Sequence, residues 1–178
     1  MINRELYMEQ ITPFIDKPFV KVITGIRRCG KSVVLRLIRE ELLRRGVSED
    51  YIIYMNFESF EWIDMKEAKA LYAHIREATK ASGKYYILLD EIQEVTDWEK
   101  AVNAFLVDLD VDIYVTGSNS RLLSSEFSTY LAGRYVAFHI MTLSFREYLL
   151  FHDLPLTISV SDRKTEFLKY LRMGGFPA

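Results

Sequence analysis

The sequence predicts an α/β protein, a three-layer sandwich in which a five-stranded parallel sheet carries helices on both faces. Three observations lead there. β-Branched or continuously apolar runs alternate with amphipathic helical stretches at about one strand per 30 residues, the spacing of a βαβ unit. A glycine-rich turn joins the first such run directly to the first strong helix. One run, Tyr85-Tyr86-Ile87-Leu88-Leu89, is apolar at every position, as a strand covered on both faces must be, and ends in two carboxylates, Asp90 and Glu91.

Composition bounds the rest. The chain has 178 residues, 49% of them apolar, enough for one domain with a sizeable core. A formal net charge of −2 gives no global support for a nucleic-acid or membrane surface. A single cysteine excludes an intrachain disulfide and suits a reducing compartment. The N-terminus lacks the apolar core of a signal peptide, and no run of about 18 apolar residues occurs. A cytoplasmic protein with no membrane segment is expected.

Taken in order, Asn3 is placed to cap a short helix to Ile11, with Leu6, Gln10 and Ile11 on a weak apolar face and Pro13 disturbing its end. It fits either a plain packing helix or one lying across the base of a bound nucleotide. Phe19 to Thr24 is the first strand. Gly25-Ile26-Arg27-Arg28-Cys29-Gly30-Lys31-Ser32 then fits G-x-x-x-x-G-K-[ST], the P-loop or Walker A pattern of the P-loop NTPases. Gly25 and Gly30 let the backbone turn tightly and approach a phosphate, and successive amide N–H groups form an anion nest. Lys31 adds a charge that reaches β- and γ-phosphates, and the Ser32 hydroxyl completes the shell of a Mg²⁺ ion. Gly25, Arg27, Arg28, Cys29, Gly30, Lys31, Ser32 and Val33 are the candidate nucleotide-binding positions. The side chains of Arg27 and Arg28 either touch phosphate or point outward. Cys29 is either a variable position or a redox-sensitive thiol, since thiols at helix N-termini tend to be acidic.

The helix from Lys31 to Arg45 has Val34, Leu37, Ile38, Glu41 and Leu42 at helical spacing and stops at Gly46. Its Arg36, Arg39, Arg44 and Arg45 read as a solvated face, with a nucleic-acid surface as the sharper alternative. Tyr51 to Phe57 is the second strand, with Asn56, Glu58 and Ser59 at its tip. Met65 to Ser82 is an amphipathic helix with Ala68, Leu71, Tyr72 and Ile75 on one side and Gly83 as its stop.

The apolar run ending at Asp90-Glu91 has the Walker B pattern. At the C-terminal end of a parallel strand, Asp90 is on the ligand side of an open α/β sheet and can hold Mg²⁺ through water, opposite Ser32. Glu91 can polarise a water for attack on the γ-phosphate. Asp97 is expected to cap a helix from Trp98 to Leu109, with Val102, Phe105 and Leu106 inward. Asp112 to Gly117 is the fourth strand, and its tip, Ser118-Asn119-Ser120, is where a γ-phosphate contact belongs. Asn119 is favoured, then Ser118; a turn capping the helix Arg121 to Leu131 fits as well. Arg134 follows Gly133 and precedes the fifth strand, Tyr135 to Ile140. Ser144 and Glu147 form a capping box for the next helix, and Asp162 starts a last helix that ends at Met173. His74, His139 and His152 make no metal-ligand spacing, so no zinc site is expected.

A whole strand stands between the P-loop unit and the Walker B strand, and a glutamate follows the Walker B aspartate. In this the chain resembles the AAA-type ATPases, which implies the sheet order 5-1-4-3-2. No N-K-x-D guanine-reading motif occurs. Thr24 to Ser32, Leu89-Asp90-Glu91-Ile92-Gln93, Thr116 to Ser120, Leu131-Ala132-Gly133-Arg134, Leu143-Ser144-Phe145-Arg146-Glu147 and Gly174-Gly175-Phe176-Pro177 look like one bacterial and archaeal family. Its members pair an N-terminal AAA-like ATPase domain with a C-terminal domain of unknown function. The resemblance implies an ATPase core over residues 1–141 and the start of a helical lid or linker over 142–178. It also implies a fragment, since such proteins continue past the Gly-Gly-Phe-Pro motif. The partner would then be the missing C-terminal domain or another protein.

The expected activity is Mg²⁺-dependent binding of ATP and its hydrolysis to ADP. Lys31 and the metal would hold the phosphates, Glu91 would activate water, and Asn119 or Ser118 would contact the γ-phosphate. The resemblance makes Arg134 an arginine finger, which would act on a neighbouring subunit and imply a homo-oligomer; a helix-end arginine bonding the last carbonyls is the plainer reading. A nucleotide-gated binding module with negligible turnover is the main alternative. Phosphoryl transfer to a small molecule is disfavoured by Glu91 and the strand order.

Overall fold

The computed structural model describes residues 4–118, 122, 131–157 and 159–177. Its sheet contains β1 (Val20–Gly25), β2 (Ile52–Asn56), β3 (Tyr85–Asp90), β4 (Val111–Gly117) and β5 (Tyr135–Ile140), in the order β2-β3-β4-β1-β5. Every neighbouring pair is parallel. Read from the other edge, this is the order 5-1-4-3-2.

The continuous apolar runs are explained by burial on both faces. On β3, Ile87 and Leu89 enter one core with Met55, Leu71, Ile75, Val102 and Phe105. Tyr86 and Leu88, pointing the other way, meet Ile11, Val34, Ile38 and Leu42. The first core is covered by α3 (Ala68–Ala78) and α4 (Trp98–Asp108), the second by α1 (Glu5–Ile11) and α2 (Lys31–Arg44). Beyond β5, α5 (Phe145–Phe151) and α6 (Val160–Met173) pack through Phe145, Tyr148, Phe167 and Tyr170.

One charge lies inside the second core. Lys21, on β1, is fully buried, donates to the Lys17 carbonyl at 2.8 Å and is paired with Asp112. Asp112 also accepts from the Tyr114 hydroxyl at 2.8 Å and the Asp16 amide at 2.9 Å. Desolvation pushes the Lys21 pKa down, opposed by the Asp112 carboxylate. A buried ion pair is tolerated when its remaining valences are met in this way.

Several helix ends differ from expectation. Asn3 lies outside the described residues, and the residue at the N-cap of α1 is Arg4, with no side-chain cap. The inward face of α1 is Tyr7 and Ile11, while Leu6 is 58% exposed. α3 is shorter than read, because Phe60–Met65 forms a separate 3₁₀ turn and the helix ends at Ala78, so Gly83 belongs to the turn before β3. Asp97 precedes α4 in a left-handed conformation and does not cap it; its carboxylate binds Lys100 Nζ at 2.8 Å. α6 begins at Val160, capped by Ser159, whose hydroxyl accepts from the Asp162 amide at 3.1 Å. The capping box of Ser144 and Glu147 is formed. Of the helix read over Arg121 to Leu131, only Leu122 and Leu131 are described, both buried.

Candidate functional site

Gly25 ends β1 where the chain has no room for a side chain: a Cβ would lie 2.4 Å from the Ile140 carbonyl oxygen. The loop then closes on Gly30, at φ 102°, a conformation that favours glycine. α2 starts at the next residue, Lys31, so the loop runs directly into a helix N-terminus, where anions are favoured. Lys31 is 3% exposed in its side chain, and its Nζ lies 3.1 Å from Glu91 Oε1.

The opposite wall comes from the end of β3. Asp90 is fully buried, and its carboxylate accepts hydrogen bonds from the Thr116 hydroxyl and, at 3.0 Å, from the Tyr54 hydroxyl. Burial and the Asp90 charge push the Tyr54 pKa well above the usual phenol value, which keeps that hydroxyl a donor. Glu91 has φ 55° and ψ 49°, a left-handed conformation that a non-glycine residue holds only when its surroundings fix it. Two bonds do so: its amide donates to Thr116 Oγ1 at 2.9 Å, and its Oε2 accepts from Gln93 Nε2 at 2.6 Å. Thr116 thus bridges both carboxylate residues from the neighbouring strand.

Arg4 supports the loop from beneath. It is 2% exposed. It donates to the Cys29 carbonyl at 3.0 Å and the Met141 carbonyl at 2.9 Å, and its Nε lies 2.6 Å from Glu147 Oε1. One guanidinium therefore joins the P-loop, the end of β5 and the capping box of α5.

Arg27, Arg28, Gly30, Lys31, Ser32, Val33, Glu58, Glu91 and Pro177 line a cleft of about 460 Å³. Seven of these were singled out in the sequence. Gly25 shapes the loop from behind. Cys29 is buried, and desolvation raises its pKa, opposed by the Lys31 charge, which favours a variable position over a redox-sensitive thiol. Asp90 lies buried behind Glu91 and does not line the cleft. Ser118 follows β4, its carbonyl accepting from the Leu122 amide at 3.1 Å, and it does not line the cleft either. Asn119 lies outside the described residues. Arg134 sits at the other end of the sheet: its carbonyl accepts from the Val20 amide at 2.8 Å, and its exposed side chain donates to Asn103 at 3.1 Å. The length of β1, roughly 17 Å at 3.3 Å per residue, separates it from the P-loop.

Sequence reasoning missed Arg4, Thr116, Tyr54 and Pro177. Only Thr116 and Pro177 stood in motifs that could have signalled them. The basic face of α2 is largely neutralised by its neighbours, Arg44 and Arg45 by Glu41 and Arg39 by Glu49.

The cleft fits a phosphate chain with a hard cation. Its glycine loop runs into the N-terminus of α2, and Lys31 and two arginines supply positive charge. Among the described residues no group of three or more His, Cys, Asp or Glu residues converges on a metal position. Ser32 lines the cleft with a hydroxyl of the kind that suits Mg²⁺, which takes most of its ligands from phosphate and water.

A P-loop at the end of β1 in a 5-1-4-3-2 parallel sheet, with an acidic pair at the end of its β3, defines the domain of a P-loop AAA-type ATPase. The sequence profile of the AAA domain matches residues 17–149, and the chain belongs to that family. An uncharacterized protein of Haemophilus influenzae is 44% identical over all of this chain, which covers 44% of that protein. An uncharacterized protein of Methanocaldococcus jannaschii is 35% identical over 99% of the chain and 38% of its own length. The chain thus spans less than half the length of these relatives. Among solved structures, AMPPCP-bound DnaA from Aquifex aeolicus matches with a TM-score of 0.57 at 18% identity, over 99% of this chain and 63% of that one. The Aeropyrum pernix Orc1 protein in complex with DNA matches with a TM-score of 0.54 at 17% identity, over 93% of this chain and 50% of that one. At these identities the likeness concerns the fold. No helix among the described residues is long and apolar enough to cross a membrane.

Proposed function

We propose that the chain binds ATP with Mg²⁺ in this cleft, hydrolyses it to ADP and phosphate, and passes the change to a further domain or partner. The observation that carries the reading is the buried facing pair at the P-loop, Lys31 Nζ and Glu91 Oε1 at 3.1 Å. MgATP, when bound, supplies the phosphoanhydride and a cation that offsets its charge. Loop amides and Lys31 bind phosphate oxygens. Ser32 would ligate the metal, and Asp90 would reach it through water. Glu91, released from Lys31, accepts a proton from the attacking water. Asn119 or Ser118 contacts the γ-phosphate.

Arg134 in this reading serves the cleft of a neighbouring subunit in a homo-oligomer, since a strand's length separates it from its own P-loop. Residues 1–141 act as the ATPase core, and 142–178 begin the helical lid or linker; Pro177, which lines the cleft, supports the lid. A cytoplasmic location belongs to the same proposal.

A second reading, a nucleotide-gated module with negligible turnover, is favoured by the two bonds that hold Glu91 to Lys31 and Gln93. Steady-state phosphate release separates the two. Hydrolysis by the unmodified chain, lowered about 10²–10⁴-fold in Glu91→Gln, supports the ATPase. Nucleotide binding without release supports the switch.

A further inference from the structure

Gln93 brings the two ends of its amide to two different parts of the site. Its Nε2 donates to Glu91 Oε2 at 2.6 Å. Its Oε1 is buried and has no hydrogen-bond partner among the described residues. That oxygen packs against the backbone of Gly117, where a Cβ would stand 2.1 Å from it. Gly117 is the last residue of β4, so one side chain spans from the carboxylate after β3 to the tip of β4. A buried amide oxygen left unpaired is costly, and such groups are retained where something else constrains them.

The carboxylate of Glu91 is held at both oxygens: Oε1 by Lys31 and Oε2 by Gln93. The two holds respond differently to a ligand. A phosphate bound at Lys31 competes for the ammonium and releases Oε1. Nothing about that exchange disturbs the bond to Oε2. We infer that Gln93 is the positioning residue that keeps Glu91 aimed once Lys31 has turned to phosphate, and that Gly117 fixes Gln93 in turn. A movement of the β4 tip would then be transmitted to Glu91 through a single amide. The inference rests on the reading of Glu91 as the base. Gln93 itself touches no reacting atom. A merely structural role, packing the 3₁₀ turn Ile92–Glu94, would leave the catalytic step untouched.

The test uses Gln93→Met, which keeps length and removes the amide, and Gly117→Ala, whose Cβ displaces it. Turnover of MgATP and the Kd for AMPPCP are measured for the full 178-residue chain, for each variant, for the double variant and for Glu91→Gln. Gln93→Met is expected to lower kcat by about tenfold or more while the AMPPCP Kd stays within about twofold. Gly117→Ala should lower kcat in the same way, and the double variant should be no slower than the slower single, as for residues acting in one chain of contacts. Unchanged kcat in Gln93→Met, alongside a Glu91→Gln protein that has lost turnover, overturns the role of Gln93 alone. Turnover retained in Glu91→Gln, or absent from the unmodified chain, overturns the reading of Glu91 and the inference with it.

Discussion

Lys31 Nζ and Glu91 Oε1 lie 3.1 Å apart, with side-chain exposures of 3% and 14%. The two groups come from different elements, the first residue of α2 and the residue after β3. A phosphate that takes the lysine must displace Glu91 from it, so the pair competes with the ligand. Glu91→Gln removes the carboxylate charge and should therefore bind AMPPCP about 2–10-fold more tightly, equivalent to about 0.4–1.4 kcal/mol. Calorimetric titration checks this; weaker binding would mean that Glu91 helps to hold the nucleotide.

Thr116 serves two residues with one hydroxyl, donating to Asp90 and accepting from the Glu91 amide at 2.9 Å. Thr116→Val keeps the shape and leaves a buried carboxylate oxygen and an amide unpaired. Each unpaired group costs about 1–3 kcal/mol. With two groups stranded, the melting temperature should fall by roughly 4–24 °C for a domain of this size. Calorimetric unfolding that shows no change would deny Thr116 this part.

Arg4 is the buried link between the P-loop carbonyl of Cys29 and Glu147. Arg4→Met strands that carboxylate and two carbonyls, and breaking such a pair costs about 3–5 kcal/mol. Combining it with Glu147→Gln removes the stranded charge, so the double variant should lose less than the sum of the singles. Denaturant midpoints measure both, and strict additivity would show that the two side chains act independently.

Arg134 is exposed and bound to Asn103 a strand's length from its own P-loop. Arg134→Ala should leave AMPPCP affinity unchanged and reduce hydrolysis by about 10³-fold or more, the scale of arginine fingers. Mixing it with Lys31→Ala should restore turnover, because a mixed interface pairs an intact loop with an intact finger. With assembly verified by ultracentrifugation, no restoration would leave Arg134 a structural residue of the α4 surface.

The strands were legible because burial on both faces imposes runs such as Tyr85 to Leu89, a local pattern that needs no knowledge of partners. The P-loop was legible because its glycines answer to local backbone demands. Cap chemistry was less so. Asp97 and Asp162 each carry the right residue type near a helix start, but a lysine three residues on claims the first, and Ser159 already caps the second. Leu6 and Tyr7 are adjacent, and only the position of α1 against the sheet decides which one is buried. For Cys29 the sequence left a variable position and a redox-sensitive thiol both open; the packing that buries it comes from residues far along the chain. Arg4 and Pro177 reach the site from the two ends of the sequence, a relationship that no spacing encodes.

The central claim, nucleotide held by the P-loop, is tested most directly by thermal unfolding with and without Mg-AMPPCP, in the unmodified chain and in Lys31→Ala. At ligand a hundredfold above Kd, binding adds about 2.7 kcal/mol, a rise in Tm of roughly 5–10 °C. The account predicts that rise in the unmodified chain and none in Lys31→Ala at the same concentration. An equal rise in both proteins, or none in either, would contradict it.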